Sequence, residues 1–352
     1  MLALSLKKNK KFSYVNHKLP QIIEDNKCRI KVCYSAICAS DIPRAYFNQS
    51  YSYPLILGHE FSGKIVGYGK KVKDFNLGQR VSVFPLIPMC KKCENCKKKK
   101  FNLCENYSYY GSRENGSFCE YIDVNKWNIF PINNRLSLKM ASLLEPTAVA
   151  FNVYNKINLK SQKNILILGS GFISQILLRI LNLNKKLRIT IADRNQFKLE
   201  LAKKHAYNKI ILNLSNKINL GKSKEINDKF DCVIDSTGNI NAINFALSNL
   251  KTEGQFVVFG NIYKNSIVAK KNYNFLLRKE LEVKGVWNST FKCKKNNWEQ
   301  AQNFLINNSK KIFPLISHVV DLKDAKKLMD NIYLNKIKKK KLKYLKGIIK
   351  TQ

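Results

Sequence analysis

Short hydrophobic runs fill the first third of the chain, and Gly, Pro or Asn residues separate one run from the next. Apolar and polar residues alternate within several runs, as expected for strands with one buried face, and the other runs are continuously apolar, as in fully buried strands. From Cys28 to Val124 the pattern therefore predicts an all-β, barrel-like unit. The runs that carry this prediction are CRIKV, PLILG, GKIVGYG, QRVSVF and FCEYIDV.

The periodicity changes between Ser137 and Lys156. Apolar residues such as Met140, Leu144 and Val149 recur there at the spacing of one helix face, so this segment predicts a helix that links the first unit to the next.

A second unit begins at Lys163 with a buried strand, NILIL, followed by a glycine turn and an apolar helix. Strands and helices then alternate as far as Trp287, which predicts a doubly wound parallel sheet. The expected strands are RITIAD, KIIL, FDCVIDSTG, GQFVVFG and LEVKGVW, with helices near 195–205 and 240–250. Beyond Trp287, NNWEQAQNFLI and LKDAKKLMDNIYL have helical character, and the terminal KGIIK predicts an edge strand.

Composition limits the class of protein. A chain of 352 residues is long enough for two domains, and no stretch approaches the roughly 20 apolar residues that span a bilayer, so no membrane association is expected. The start, MLALSLKKNKKF, lacks the order of a signal peptide, and we expect a cytoplasmic protein.

The formal net charge of +39 is extreme for a globular enzyme and raises the alternative of a nucleic-acid-binding protein. The lysines are, however, scattered through every segment together with abundant Asn and Ile. The local runs Lys97–Lys100 and Lys338–Lys341 have no interleaved aromatic residues. We therefore interpret the charge as a composition bias and expect no specific nucleic-acid partner.

Four of the ten cysteines form a C-x2-C-x2-C-x7-C cluster. Such close spacing without a secretory signal indicates a closed tetrathiolate zinc site rather than a disulfide framework. The ligands of this structural zinc, in a lobe at about 88–106, are Cys90, Cys93, Cys96 and Cys104. Cys28, Cys33, Cys119, Cys232 and Cys293 lie in apolar surroundings and are expected to be core residues.

The segment PLILGHEFSG contains one of only four histidines in the chain, His59. A histidine in this setting is ordinarily a structural residue. Cys38 upstream and Glu145 downstream change the interpretation, because a thiolate, an imidazole and a carboxylate form a mixed ligand set that suits an open zinc site. Glu60 directly follows His59 and is a further candidate ligand.

The turn after NILIL predicts a dinucleotide site. Gly169 and Gly171 allow backbone N–H groups and the following helix N-terminus to meet a pyrophosphate, although Ser174 replaces the third glycine of the usual fingerprint. Asp193 ends the next strand, where an acid accepts hydrogen bonds from a ribose and repels a 2′-phosphate, which favours NAD over NADP. Arg194 weakens this preference, because its guanidinium could pair with that phosphate. The remaining cofactor-binding candidates are Ser170, Phe172, Ile173, Thr237, Gly238 and Gly260.

With these residues in place, the chain resembles the zinc-containing medium-chain alcohol and polyol dehydrogenases over nearly its whole length. The motifs follow in that family's order. They are Cys-x-x-Asp at Cys38 to Asp41, Gly-His-Glu at Gly58 to Glu60, the four-cysteine lobe, Glu145-Pro146 and the glycine-rich turn. The segments SDIPR, YPLILGHEFSG, YGSRENGSFCEYI and LLRKELEVKG resemble the branch of the family that acts on sugar alcohol phosphates.

The resemblance implies a GroES-like β-barrel catalytic domain over 1–150, a Rossmann coenzyme domain over 151–287 and a return to the catalytic domain over 288–352. It implies two zinc ions per chain, with the catalytic one held by Cys38, His59 and Glu145. Glu60 would be an exchanging ligand or a neighbouring carboxylate, Ser40 would pass the substrate proton outward, and Asp41 would orient a ligand histidine. Homodimers or homotetramers are expected, with the last Rossmann strands pairing across subunits.

The activity implied is NAD-linked oxidation of a secondary hydroxyl of a sugar alcohol phosphate, taking galactitol 1-phosphate to tagatose 6-phosphate. Other polyol or polyol phosphate dehydrogenases, acting on sorbitol, L-iditol or ribitol 5-phosphate, are the alternatives, and an inactive structural relic is a further one. Arginine binds phosphate through a planar fork of donors, so Arg44, Arg113 and Arg278 are candidate phosphate contacts.

Overall fold

The computed structural model describes residues 1–203, 229–262, 265–337 and 342–351, and the backbone of 209–213 and of 338. The chain divides into two compact units, Met1–Ala148 with Ser289–Gln352 and Val149–Asn288. None of the helices in the described ranges combines the length and the apolar composition needed to cross a membrane.

Eighteen strands are present in the described part of the chain. They are β1 Leu2–Lys8, β2 Lys11–Asn16, β3 Lys27–Ala36, β4 Leu55–Ile56, β5 Glu60–Tyr68, β6 Arg80–Val83, β7 Leu86–Pro88, β8 Tyr107–Tyr109, β9 Tyr121–Asn125, β10 Ile129–Pro131, β11 Asn164–Leu168, β12 Arg188–Asp193, β13 Lys209–Asn213, β14 Phe230–Asp235, β15 Leu250–Val258, β16 Glu282–Gly285, β17 Ile316–Asp321 and β18 Lys346–Lys350.

Ten α-helices lie in the same ranges. They are α1 Asp41–Tyr46, α2 Glu94–Lys97, α3 Leu138–Ala141, α4 Leu144–Tyr154, α5 Phe172–Leu181, α6 Gln196–Lys203, α7 Ile240–Asn249, α8 Lys270–Arg278, α9 Asn297–Ile312 and α10 Ala325–Lys338. Single 3₁₀ turns occupy Phe101–Leu103, Lys126–Asn128, Phe313–Leu315 and Leu322–Asp324.

The first unit is built on a seven-stranded sheet in the order β10-β6-β5-β3-β18-β17, with β9 also paired to β3. Strand β3 alternates half-buried and buried positions, which places Cys28, Ile30 and Val32 in the core. The predicted β-unit is therefore confirmed, and its strands converge on the segments that carry Cys38 and His59.

The expectation that KGIIK is an edge strand was wrong. Strand β18 lies inside the sheet, antiparallel to β3 and parallel to β17, and its first four residues are buried. The lysine-rich surroundings suggested a solvent-exposed segment, whereas one of its two partners, β3, lies more than three hundred residues earlier in the chain. As a result Lys346 is only 3% exposed.

The single helix expected over 137–156 is divided in two, because α3 ends at Ala141 and α4 begins at Leu144. Glu145 lies in the first turn of α4. The break therefore places the carboxylate of Glu145 at the start of a new helix.

The second unit contains a six-stranded, all-parallel sheet in the order β13-β12-β11-β14-β15-β16. Strands β11 and β14 are almost wholly buried, as expected for a sheet covered on both faces. This confirms the predicted doubly wound fold, including the KIIL strand as β13. The end of the helix expected over 195–205 lies outside the described residues.

All ten cysteines are free thiols. Cys28, Cys119 and Cys232 are buried as expected. The expectation was wrong for Cys33 and Cys293, which are only half-buried, and Cys293 Sγ donates to the Lys295 carbonyl at 3.3 Å.

Candidate active site and cofactor-binding turn

The thiol of Cys38, the imidazole of His59 and the carboxylate of Glu60 meet in the interior of the first unit. Each offers a ligand atom, and these atoms all lie within 4.8 Å of one another. Cys38 follows the end of β3, Glu60 begins β5 directly after His59, and β3 and β5 are hydrogen-bonded neighbours. Sheet pairing therefore brings together residues that are about twenty positions apart in the chain.

Burial sets the protonation of these groups. It lowers the pKa of His59, and the cations Arg44 and Lys346 lower it further, so the imidazole is neutral. Burial also raises the pKa of Cys38, and the carboxylate of Glu60 adds to this effect. A neutral imidazole and a thiol beside a buried carboxylate are the donors that a divalent cation would bind, releasing the thiol proton.

Asp41 lies behind the histidine. Its Oδ2 accepts a hydrogen bond from the Cys38 backbone N–H at 2.9 Å, and its Oδ1 is 3.5 Å from His59 Nδ1. Burial raises the pKa of Asp41 to about 7, and the guanidinium of Arg44 opposes this shift. One carboxylate thus touches both chain segments that supply ligand atoms.

Ser40 contacts the thiol directly. Its hydroxyl donates to Cys38 Sγ at 3.2 Å and accepts from Arg44 Nη1 at 2.8 Å. Arg44 also lies 3.6 Å from Asp41 Oδ1. The guanidinium of Arg44 therefore contacts Ser40 and Asp41 beside Cys38. A residue that binds substrate phosphate was expected to keep its guanidinium available for the ligand.

Sequence reasoning missed Lys346. Its ammonium group forms a buried ion pair with Glu60 Oε2 and donates to the Ile37 carbonyl at 3.1 Å. Burial raises the pKa of Glu60, and Lys346 opposes that shift. Nothing local distinguishes this lysine from the many lysines near it, and only the pairing of β18 with β3 shows that it is buried.

Glu145 does not belong to the group of three. It is 6% exposed, burial and the neighbouring Glu60 raise its pKa to about 8, and its Oε1 accepts from Tyr109 Oη at 3.4 Å. The ring of Tyr109 in turn packs edge-on against His59, with the centroids 5.6 Å apart. Tyr109, which sequence reasoning also missed, therefore connects Glu145 to the histidine.

A tight loop after β8 packs against the chain segment that leads to His59. Gly111 has a φ of +74°, and a Cβ there would lie 2.7 Å from the Gly58 carbonyl carbon, next to His59. The same loop hydrogen-bonds to the His59 segment, because Gly116 N donates to the Ile56 carbonyl and Ser117 N donates to the Gly58 carbonyl.

We expect Gly111→Ala to lower the free energy of unfolding by about 2 to 4 kcal/mol, through backbone strain and overlap with Gly58. Gly78→Ala is the matched control, because Gly78 has a similar φ of +79° and no heavy atom within 4 Å of the added Cβ. Gly78→Ala should lower the free energy of unfolding by only about 1 kcal/mol. Urea unfolding of both variants measures the difference, and equal losses would show that the close approach of the two glycines is unimportant.

The four-cysteine lobe forms a second group of ligand atoms within 4.8 Å of one another. Cys90 Sγ and Cys104 Sγ are 3.4 Å apart, and Cys96 and Cys104 are buried. Hydrogen bonds from the backbone of Cys93 and Lys92 lower the pKa of Cys90 to about 6. Sulfur atoms around a tetrahedral zinc at about 2.3 Å would be separated by roughly 3.8 Å, so the spacing fits such an ion.

The first group fits a metal ion by its chemistry. One sulfur, one imidazole and one carboxylate form a set typical of zinc, with His59 and Glu60 buried and Cys38 half-buried. His59 Nδ1 and Asp41 Oδ1 are buried and face each other at 3.5 Å, so Nε2 is the ring nitrogen of His59 that remains available to an ion.

The glycine turn of the second unit has the form expected of a dinucleotide site. Gly169 has a φ of +91°, and helix α5 begins at Phe172, directly after Gly171. A Cβ added at Gly171 would have no heavy atom within 4 Å, so the space beside this residue is open. Ser170 N donates to Asp193 Oδ2 at 2.6 Å. Ile173 lies in the first turn of α5, Ser174 is fully buried, and Arg194 is exposed.

Thr237, Gly238 and Gly260 gather at the carboxyl ends of β14 and β15. Thr237 Oγ1 and Gly238 N donate to the carboxylate of Asp235 at 2.6 and 3.0 Å. A Cβ at Gly260 would lie 2.7 Å from the Thr237 backbone nitrogen. The three residues therefore form a close-packed edge at the end of the sheet where such folds bind ligands.

The remaining phosphate candidates lie in different places. Arg278 is exposed in the last turn of α8 in the second unit. Arg113 lies in the loop after β8 and packs against two tyrosine rings.

Comparison with known proteins identifies both units. A model of the alcohol dehydrogenase GroES-like domain matches residues 24–134, and a model of zinc-binding dehydrogenases matches residues 173–307. The chain is 31% identical over 281 residues to D-arabitol-phosphate dehydrogenase of Enterococcus avium, covering 78% of each protein.

It is also 28% identical over 305 residues to galactitol 1-phosphate 5-dehydrogenase of Escherichia coli, covering 85% of this chain and 87% of the relative. The crystal structure of galactitol-1-phosphate dehydrogenase from Escherichia coli superposes with a TM-score of 0.88 at 25% identity, over the whole of both chains. The chain therefore belongs to the zinc-containing medium-chain family of alcohol and polyol dehydrogenases.

Proposed function

We propose that the protein oxidises a secondary hydroxyl of a sugar alcohol phosphate, using a catalytic zinc ion and NAD, with galactitol 1-phosphate as substrate and tagatose 6-phosphate as product. The observation that carries the proposal is the buried group formed by Cys38, His59 and Glu60. Support for a phosphorylated polyol comes from the relatives, which include enzymes named for galactitol 1-phosphate and D-arabitol phosphate.

Cys38 and His59 would hold the catalytic ion together with one carboxylate. Family resemblance favours Glu145 as that carboxylate, and distance favours Glu60, which the ion pair with Lys346 keeps beside the thiol and the imidazole. Zinc in such a site supplies Lewis-acid chemistry that lowers the pKa of an alcohol, and NAD supplies the hydride acceptor. The second ion would be held by the four-cysteine lobe and would be structural.

Ser40 is the proposed proton carrier. A hydroxyl oxygen has two lone pairs, and Arg44 Nη1 uses only one of them at 2.8 Å, so Ser40 Oγ keeps a lone pair that can accept the proton of a substrate hydroxyl. The adjacent guanidinium also stabilises negative charge on that oxygen. No histidine follows at Pro43, which agrees with a short relay of the polyol type.

Asp193 is proposed to select NAD. Its carboxylate is held by hydrogen bonds from the backbone N–H groups of Ser170 and Asn195, at 2.6 and 2.8 Å, which fix its position beside the glycine turn. Fixed in this way, the carboxylate can accept from a ribose hydroxyl and would repel a 2′-phosphate.

Asp193→Asn should raise the ratio of kcat/KM for NADP to that for NAD about tenfold, because it removes the charge and keeps an acceptor for Ser170 N. The charge-matched control is Asp321→Asn, at the exposed end of β17 in the first unit. Steady-state kinetics with both cofactors measure the ratio, and an unchanged ratio would remove Asp193 from cofactor selection.

Assembly into homodimers or homotetramers is part of the proposal. Strand β16 ends the order of the parallel sheet among the described strands, and it carries the exposed Val283, while Leu277 of the preceding helix is 74% exposed. An edge strand with exposed apolar neighbours is suited to pairing with a second copy. Light scattering on the purified protein measures the mass.

A cytoplasmic location is also proposed. Ten free cysteines, four of them in one cluster, require a reducing compartment to remain thiols or metal ligands.

The test of function is NADH production from galactitol 1-phosphate, ribitol 5-phosphate, sorbitol and threonine, with zinc measured on the same sample. We expect the highest kcat/KM on galactitol 1-phosphate. Equal or better turnover of sorbitol would refute the phosphate part of the proposal, and activity that survives complete removal of zinc would refute its mechanism.

A further inference from the structure

Two tyrosine rings hold the side chain of Arg113. The guanidinium carbon lies over the ring of Tyr51, 4.2 Å from its centroid, and over the ring of Tyr107, 4.4 Å from its centroid. Cation–π contacts of this kind position a guanidinium without using any of its N–H donors in conventional hydrogen bonds. In the described part of the chain no carboxylate pairs with Arg113 and no side-chain hydrogen bond engages it.

The backbone under Arg113 is fixed. The N–H groups of Arg113 and Glu114 both donate to the Tyr109 carbonyl at 3.0 Å, and Gly111 N donates to the Glu114 carbonyl at 2.8 Å. Ser108 Oγ donates to Glu114 Oε1 at 2.9 Å, which closes the loop from the side. A guanidinium on this loop loses little further freedom when it binds a ligand.

The loop also places Arg113 beside the candidate active site. Tyr107 and Tyr109 are two residues apart in β8, so their side chains project from the same face of the strand, about 7 Å apart along it. Tyr109 packs on His59, and Tyr107 packs on Arg113. The guanidinium of Arg113 therefore lies on the same face of β8 as the contact with His59, displaced from it along the strand by about two residues.

We propose that Arg113, held by Tyr51 and Tyr107, binds the phosphate group of a polyol phosphate whose reacting hydroxyl lies at the Cys38, His59 and Glu60 group. This inference rests on the proposed function and assigns the residue that makes it specific for phosphorylated substrates. Arg113 is better placed than Arg44, whose guanidinium is engaged with Ser40 and Asp41.

The chemistry of the site suits a phosphate monoester. A guanidinium remains charged at all pH values of interest and offers parallel donors that match two phosphate oxygens. The polyol carbons between the phosphate and the reacting hydroxyl would bridge the distance from Arg113 to His59. An unphosphorylated polyol gains nothing from Arg113, so this residue should discriminate between the two classes of substrate.

The test compares galactitol 1-phosphate with galactitol in the wild-type protein and in four variants. Arg113→Gln removes the charge, Arg113→Lys keeps the charge without the planar fork, and Tyr51→Leu removes an exposed supporting ring. Arg135→Gln is the control, because Arg135 is an exposed arginine of the same unit.

For Arg113→Gln we expect the ratio of kcat/KM for the phosphate to that for the free polyol to fall about 10- to 100-fold, mainly through KM. Arg113→Lys should lower this ratio less than Arg113→Gln does, because it keeps the positive charge. Tyr51→Leu should reduce the ratio about 2- to 10-fold, and because its ring is exposed it tests the site even if Arg113→Gln folds poorly. Arg135→Gln should keep the wild-type ratio. Competitive inhibition by inorganic phosphate should weaken in the same order.

Two different failures are distinguishable. A wild-type preference for the phosphate that persists in Arg113→Gln and in Tyr51→Leu would overturn the assignment of Arg113 and leave the proposed function standing. A wild-type protein that does not prefer the phosphate would overturn the polyol phosphate function, and the assignment of Arg113 with it.

Discussion

Cys38→Ser is expected to lower kcat by roughly 10³-fold or more and to reduce the zinc content from two ions per chain to one. A serine hydroxyl is a poor zinc ligand at neutral pH, because it stays protonated, so the group of Cys38, His59 and Glu60 would lose its soft donor. Loss of a Lewis acid that contributes several kcal/mol accounts for a factor of this size, at about 1.4 kcal/mol per tenfold. Steady-state kinetics and metal analysis of the same preparation measure both effects.

Cys33→Ser is the matched control, since Cys33 is a half-buried cysteine five residues earlier, in β3. It should keep both ions and near wild-type activity. A Cys38→Ser protein that retained two ions and full turnover would contradict the assignment of the catalytic metal to this group.

The same measurements separate the two carboxylates. The carboxylate of Glu60 lies within 4.8 Å of the other two ligand atoms, so Glu60→Gln should remove the catalytic ion. Glu145→Gln should then lower the zinc content by a smaller amount. The reverse order would support the ligand set implied by the family resemblance.

Cys104→Ser should remove the other ion and lower the free energy of unfolding by about 5 kcal/mol. Cys104 is 3% exposed, and the four sulfurs of the lobe are gathered within 4.8 Å of one another. Burial raises the pKa of Cys96 and of Cys104, so these two groups stay protonated in the metal-free lobe and must release their protons to bind an ion. Structural zinc contributes folding free energy directly, and its loss should therefore exceed the cost of an ordinary core substitution.

Chemical denaturation with metal analysis measures this effect, and Cys293→Ser serves as the control because Cys293 is a half-buried cysteine outside the lobe. The Cys104→Ser protein should also be cleaved first by a protease within the 88–106 lobe. A variant with unchanged stability and two bound ions would show that the lobe does not hold the structural metal.

Local pattern was sufficient for much of this protein. The parallel sheet followed from alternating buried strands and apolar helices, because each of those signals is contained in a short window. The ligand candidates Cys38, His59, Glu145 and Glu60 could be selected because a thiolate, an imidazole and a carboxylate together suit zinc, although His59 alone would ordinarily be structural. The spacing C-x2-C-x2-C-x7-C likewise predicts a zinc site by itself, because all four cysteines lie within one short segment.

Lys346 shows where local pattern failed. Its segment KGIIK was expected at a sheet edge, and β18 instead lies between β3 and β17, which places the ammonium group on Glu60. Burial of this lysine depends on Ile37 and Glu60, which lie 309 and 286 positions away, and no short window contains them.

The sequence by itself determined the two fold classes and the family, and it predicted the candidate zinc and dinucleotide ligands, because residue type and spacing limit which chemistry is possible. The tertiary structure decided which of those groups meet. It brought the ligand atoms of Cys38, His59 and Glu60 within 4.8 Å of one another, paired Glu60 with Lys346, and held Arg113 between Tyr51 and Tyr107. The physical reason is that distances between side chains depend on strand pairing and burial over the whole chain, which composition and periodicity do not encode.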